Sequence, residues 1–266
     1  MYYGCRSRAR DGKGGEREEV DHKRYSETVS WAITARLLES FLEAAPQLCF
    51  QLYITFKETP DDDEGTWRGI AVLSSWASLA VLAVKAHNSD TGDESTDNEK
   101  DKFSCKLFYF LWRVCETGGR VLCIALFAST FYSWVFGIVG FHFVVMFAWY
   151  VWSDLGREGA ARTTVWGILA GYVMVFYMPF HSRPSRYLYL VYYALFYTEN
   201  FLMLALWAVM TSDRDAWFYI PAIVTVIVLF LLHMVTQLLY YKCFHPKAGD
   251  IEFCVEFDRQ SLKIRW

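Results

Sequence analysis

From Val121 to Ser153 the chain runs 33 residues without an Asp, Glu, Lys or Arg. Wound as one α-helix, that run would reach about 50 Å, against a hydrocarbon core of about 30 Å. It must therefore turn back, and the natural corner is ASTFYSW (Ala128–Trp134). Two apolar segments result, Leu107–Thr130 and Phe131–Trp152. Five more can be drawn, Val29–Phe56, Trp67–Val84, Thr164–Phe180, Tyr187–Met210 and Ala216–Tyr241. In lipid each backbone N–H and C=O needs an internal partner, so such segments fold as helices. The predicted fold class is all-α, a polytopic membrane helical bundle.

Composition narrows what that bundle does. The chain is 54% hydrophobic and 18% aromatic with only six Pro, and its net charge of −3 argues for no nucleic-acid partner. Seven Cys are scattered without a CxxC or metal-ligand spacing, and Cys49, Cys115 and Cys123 fall in apolar runs where a small buried hydrophobe is the expected role. No metal and no cofactor are predicted. The sequence has no nucleotide loop, Ser/His/Asp arrangement or glycine-rich phosphate cradle, so a non-enzyme is expected. Residues 1–30 have no apolar core, so the first apolar segment is expected to direct insertion.

Lys and Arg placement sets the topology. The N-terminal segment carries seven, 85–106 four, 153–163 two, 181–186 two and the tail after Tyr241 five. All of these fall on one side if Thr164–Phe180 enters the membrane and returns, which leaves Lys57, Arg68 and Arg214 on the other. That segment is the shortest, contains Gly167, Gly171 and Pro179, and has arginines on both flanks. The prediction is about six spans plus one re-entrant segment, with both termini cytoplasmic. Residues 1–28 form a cytoplasmic polar segment, 29–241 the bundle with a disordered cytoplasmic loop at 87–102, and 242–266 a cytoplasmic tail.

Charge inside the spans carries the functional signal. At about 100° per residue, Arg36, Glu39, Glu43 and Gln47 lie within about 80° of one another on one helical face. Arg113, Glu116 and Arg120 repeat the i, i+3, i+7 spacing on another span, and Glu199 sits beside Asn200 on a third. A charged side chain at a helix centre costs about 2.5–3.5 kcal/mol on insertion scales. These residues are therefore expected to face the bundle interior or a water-filled groove and to pair across helices. The pairs could be interhelical glue, or they could line a path for a charged headgroup or ion. Ion channel, transporter and lipid scramblase all remain open on this reading.

Smaller features have plainer expectations. Pro46 should kink its span. His142 and His233 should be satisfied bundle histidines. Gly118–Gly119 should permit close helix approach.

RLLESFLEAAPQLCFQLYI (36–54) resembles the hallmark of the XK-related membrane protein family. FYFLWRVCETGGRVLCIALFAS (108–129) resembles its second signature, LVYYALFYTENFLMLALWAV (190–209) a later acidic span, and LLYYKCFHP (238–246) the exit of the last span. The resemblance implies an eight-span fold of two pseudo-repeated four-span bundles with re-entrant segments. By that pattern this chain lacks the first two spans.

The resemblance also implies phospholipid scrambling at the plasma membrane. This is energy-independent leaflet exchange that exposes phosphatidylserine, in several members after caspase cleavage in apoptosis. Carried over by motif, the headgroup path would hold Glu39, Glu43, Arg120 and Glu199; Arg36, Gln47, Arg113 and Glu116 join by shared faces. Candidate cleavage positions are Asp97 and Asp258, although Arg259 disfavours the second. Expected partners are membrane phospholipids, a single-span chaperone or cytoplasmic lipid-transfer protein, and a second copy in a homodimer. The alternatives are a membrane scaffold without transport of its own and an ion or solute transporter.

Overall fold

The computed structural model describes Ala32 and residues 35–57, 62–91, 99–154, 160–178 and 186–244, except 213 and 217. The described residues are almost wholly helical. Helix α1 covers 35–57, followed by α2 (Asp62–Thr91), α3 (Glu99–Phe131), α4 (Trp134–Asp154), α5 (Ala160–Met174), α6 (Arg186–Met210) and α7 (Tyr219–Leu239). A π-helical turn at Tyr240–Phe244 extends α7.

Among the described residues five helices are long and apolar enough to cross a bilayer, over Trp67–Lys85, Lys106–Phe131, Trp134–Trp152, Tyr189–Met210 and Tyr219–Lys242. These match the expected spans to within a few residues, because the length of an uncharged run and the thickness of hydrocarbon set the same limits. Helix α1 has a comparable length but carries Arg36, Glu39 and Glu43. The chain is a multi-pass membrane protein. On α4, Trp134 and Trp152 are 76% and 85% exposed, about 27 Å apart along the axis. That separation is close to the thickness of the hydrocarbon core, the spacing that interfacial indoles at both ends of a span would have.

The uncharged run breaks inside the expected corner, at Tyr132–Ser133. Tyr132 adopts φ 48°, a left-handed conformation that costs a non-glycine residue about 1–2 kcal/mol. Its N–H still donates to Ala128 O at 2.9 Å, and Lys57 Nζ lies 5.3 Å from the centre of its ring. The Phe56 and Phe218 rings meet at 5.3 Å. The end of α1, the α3–α4 corner and the residue before α7 therefore share one end of the bundle. Tyr109 and Tyr240, 5.4 Å apart, mark the other end, where α3 begins and α7 finishes.

Helix α3 is the hub. Within its most apolar 18-residue stretch 72% of residues are buried, against 17% for the corresponding stretches of α2 and α4. Gly118 and Gly119 make this possible. A Cβ on Gly118 would fall inside the Trp76 indole of α2, and one on Gly119 would meet Phe230 Cε1 of α7 at 2.7 Å. Trp76 Nε1 donates to Val114 O at 2.8 Å, which fixes the indole over the glycine.

Helix α5 is the exception among the apolar segments. Its 15 residues reach about 22 Å, too short to cross. Beyond Met174 the backbone leaves the helix, yet Val175, Phe176, Tyr177 and Met178 are all buried. The described part of the segment thus finishes among buried residues. Helix α1 runs through Pro46 without interruption, and Pro46 itself is exposed.

Both ends of the stretch expected as a loop, 87–102, are helical. Helix α2 continues to Thr91 and α3 begins at Glu99, with 92–98 outside the described residues. An acidic residue at a helix start and the helix-favouring Lys100 and Lys102 support the early start of α3. The terminal segments 1–28 and 245–266, with Asp97 and Asp258, also lie outside the described residues.

Candidate functional site

Irregular backbone at membrane depth survives only where other protein groups satisfy it. Three buried ionisable side chains do this where α5 ends. His142 Nε2, from α4, donates to Met174 O at 3.0 Å. Arg120 Nε, from α3, donates to Val175 O at 3.0 Å. Met178 N–H donates to Glu116 Oε1 at 3.3 Å.

These groups are tied to α6 and to one another. Arg120 Nη2 donates to Glu199 Oε2 at 2.7 Å and Nη1 to Asn200 Oδ1 at 3.3 Å. His142 Nδ1 lies 2.8 Å from the same Glu199 oxygen, and Asn200 Nδ2 donates to Phe196 O at 2.7 Å. A carbonyl oxygen only accepts, so His142 Nε2 carries a proton. Arg113 Nη1 binds Glu116 Oε2 at 2.5 Å. The Arg113 guanidinium sits 4.2 Å from the Trp112 ring centre, 4.8 Å from Tyr109 and 4.9 Å from Tyr177, a cation–π cage.

Arg113, Glu116, Arg120 and Glu199, which the sequence singled out, thus converge on the end of α5. They are only 0–6% exposed. The remaining four residues behave differently. Arg36, Glu39, Glu43 and Gln47 lie on the outward face of α1 and are exposed. Among the described residues no ion pair joins them to α3, which corrects the expectation that they face the bundle interior and pair across helices. The reason is packing. Leu37, Phe41, Ala45 and Leu48 form the buried stripe of α1. Tyr172 OH of α5 donates to Phe41 O at 3.1 Å, and the Phe41 and Tyr177 rings stack at 4.9 Å. With that stripe turned inward, the polar stripe must turn outward.

The outward carboxylates are not simply displayed to lipid. Glu39 and Glu43 line an open groove of about 680 Å³ between α1 and α5, walled by Leu38, Leu42, Trp166 and Leu169. Tyr177 contacts both the Phe41 ring of α1 and the Arg113 guanidinium of the charged knot.

His142 is satisfied at both nitrogens. His233 is satisfied at one, Nδ1 lying 2.6 Å from Tyr197 OH while the buried Nε2 has no partner. Cys115 and Cys123 are buried free thiols, as expected, and Cys49 is half-buried. Sequence reasoning missed His142 as a partner of Glu199, Asn200 as a partner of Arg120, and Trp166 as a groove wall. An isolated histidine in a charge-free run was the available signal for the first. Among the described residues no group of His, Cys, Asp and Glu could hold a metal ion.

Known proteins resemble this chain over most of its length. A family model described as XK-related protein matches residues 1–246. The chain is 26% identical over 219 residues to XK-related protein 8 of Gasterosteus aculeatus, covering 80% of this chain and 52% of that protein. It is 28% identical over 222 residues to XK-related protein 8 of Tetraodon nigroviridis, covering 79% and 52%. The chain spans about half the length of the curated relatives it matches.

Proposed function

The chain belongs to the XK-related protein family, and from that premise we propose that it is a non-enzymatic phospholipid scramblase subunit of the plasma membrane. In this reading both termini are cytoplasmic and lipids, phosphatidylserine included, exchange leaflets without an energy source. The observation that carries the reading is the α1–α5 groove. Two carboxylates stand in an otherwise apolar wall, on the exposed face of α1. A polar seam of this kind lowers the barrier for a headgroup while its tails stay in hydrocarbon. The buried charges have a separate role: they hold the inner end of α5, the helix whose Trp166 and Leu169 wall the groove.

A second reading, a scaffold for a single-span or lipid-transfer partner, is favoured by one observation. Arg113, Glu116, Arg120 and Glu199 are all engaged within the protein and none lies open to a passing headgroup. The two readings separate in proteoliposomes holding acyl-labelled phospholipid, with a membrane-impermeant quencher added outside. The scramblase reading expects the protected inner-leaflet signal to fall with protein present. A trace identical to protein-free vesicles refutes it and leaves the scaffold.

A further inference from the structure

We infer that the protein encloses ordered water at the Tyr192 hydroxyl, between its two buried ion pairs, and that this water joins the pairs into one network. Three polar atoms of the charged knot carry the inference. Arg113 Nε, Tyr192 OH and Glu199 Oε1 are buried and have no hydrogen-bond partner among the described residues. Their residues are only 1%, 0% and 6% exposed, so bulk water does not meet them either. Buried polar groups are satisfied as a rule, and internal water is the usual partner where protein groups do not reach. Tyr192 stands between the two pairs. Its ring meets the His142 ring edge-on at 5.7 Å and packs with Met174 and Met178. Met174 O is held by His142, which also reaches Glu199, and Met178 N–H donates to Glu116. The charges within electrostatic reach of the phenol are Glu116, Arg120, Arg113 and Glu199, both members of each pair.

The chemistry of the three atoms selects water over an ion. Arg113 Nε only donates, an ionised carboxylate oxygen only accepts, and a phenol does both. Water accepts from the guanidinium and the phenol and returns its own hydrogens to a carboxylate. An anion would serve the donors but face Glu116 and Glu199; a cation would serve the carboxylates but face Arg113 and Arg120. Two guanidinium and two carboxylate groups balance, so the knot attracts neither ion strongly. The surroundings keep the water in place. Phe196 stacks on Tyr192 at 5.7 Å, and Met146, Met174 and Met178 complete a buried apolar shell. The consequence concerns the irregular stretch that follows α5. Glu116 holds Met178, while Arg120 and His142 hold Val175 and Met174. Shared water couples these clamps, so that loosening one loosens the other. The inference stands whether or not the chain moves lipid.

The test uses the full chain in lipid nanodiscs and turns on the sign of one change. Tyr192→Phe should lower Tm by roughly 2–4 °C, the loss expected when one buried, hydrogen-bonded hydroxyl is removed from a chain of this size. If the hydroxyl has no partner, the same substitution deletes an unmet polar group, and Tm stays level or rises. That result overturns the inference. In an Arg113→Met background the fall caused by Tyr192→Phe should shrink to about half or less, although no direct bond joins the two residues. An equal fall in both backgrounds overturns the link between the pairs. A second measurement needs no variant. X-ray pulses split bound water into hydroxyl radicals where it sits, so Tyr192 should be oxidised well above Phe41, which is equally buried. Oxidation of Tyr192 only at the level of Phe41 overturns the inference even if Tyr192→Phe lowers Tm, because a protein group would then hold the hydroxyl.

Discussion

Replacing Arg120 with Met removes three hydrogen bonds at once while keeping an unbranched side chain of similar reach. Val175 O and Asn200 Oδ1 each lose a donor, and Glu199 keeps only His142 on its bonded oxygen. Leaving a buried polar group unsatisfied costs about 1–3 kcal/mol, and removing one partner of a buried ion pair about 3–5 kcal/mol. In membranes the unfolded reference state also finds partners, which pulls such values down. About 3 kcal/mol is therefore the expected loss, or a fall in Tm of roughly 6–12 °C for a chain of this size. The assay is thermal denaturation in detergent followed by size-exclusion fluorescence, alone and in a cycle with Glu199→Gln. Because both changes disrupt one network, the double variant should lose at least about 1 kcal/mol less than the two singles together. A Tm change below about 2 °C, or strictly additive losses, would refute the claim that Arg120 anchors the end of α5.

Other consequences follow from the same packing. Gly118→Ala drives a methyl into the Trp76 indole and breaks its bond to Val114 O, so a loss of about 1–3 kcal/mol is expected. Adding Trp76→Leu should restore part of the lost Tm, and no effect of Gly118→Ala would contradict the glycine contact. Phe41→Ala empties the α1–α5 contact and should cost about 3–5 kcal/mol. It should also weaken lipid retention, since Tyr172 and Tyr177 lose the surface they pack on; unchanged melting would show that α1 does not dock there. In a background without native cysteines, Glu43→Cys should react readily with a water-soluble maleimide and Glu116→Cys should not. Equal labelling would invalidate the division into exposed and buried charges.

Much of the architecture is legible in the sequence because membrane folding restricts the options. Run length fixed the spans, and a 33-residue uncharged run demanded a corner that Tyr132 supplies. Gly167, Gly171, Pro179 and the flanking arginines set this segment apart from the spans, and α5 is a helix of only 15 residues. The rotation of α1 was not legible, and the reason is physical. In water an apolar stripe must turn inward and a polar one outward. In lipid, Leu37, Phe41, Ala45 and Leu48 could face either way, so periodicity finds two faces without saying which is inside. The Phe41–Tyr177 and Phe41–Tyr172 contacts decide it, and they join residues far apart in the chain. His142 was obscure for the same reason, since its partner Glu199 lies 57 residues away.

On this reading labour is divided: buried charges hold the end of α5, and the exposed carboxylates Glu39 and Glu43 receive the headgroup. The most direct measurement is the leaflet-exchange rate of the Glu39→Gln/Glu43→Gln variant in proteoliposomes, taken beside its melting temperature. The expected result is exchange reduced by about tenfold or more, as when charge contacts worth about 1.4 kcal/mol are lost at the barrier, with Tm unchanged within about 2 °C. Exchange at the unaltered rate, or no exchange by the unaltered chain itself, would contradict it.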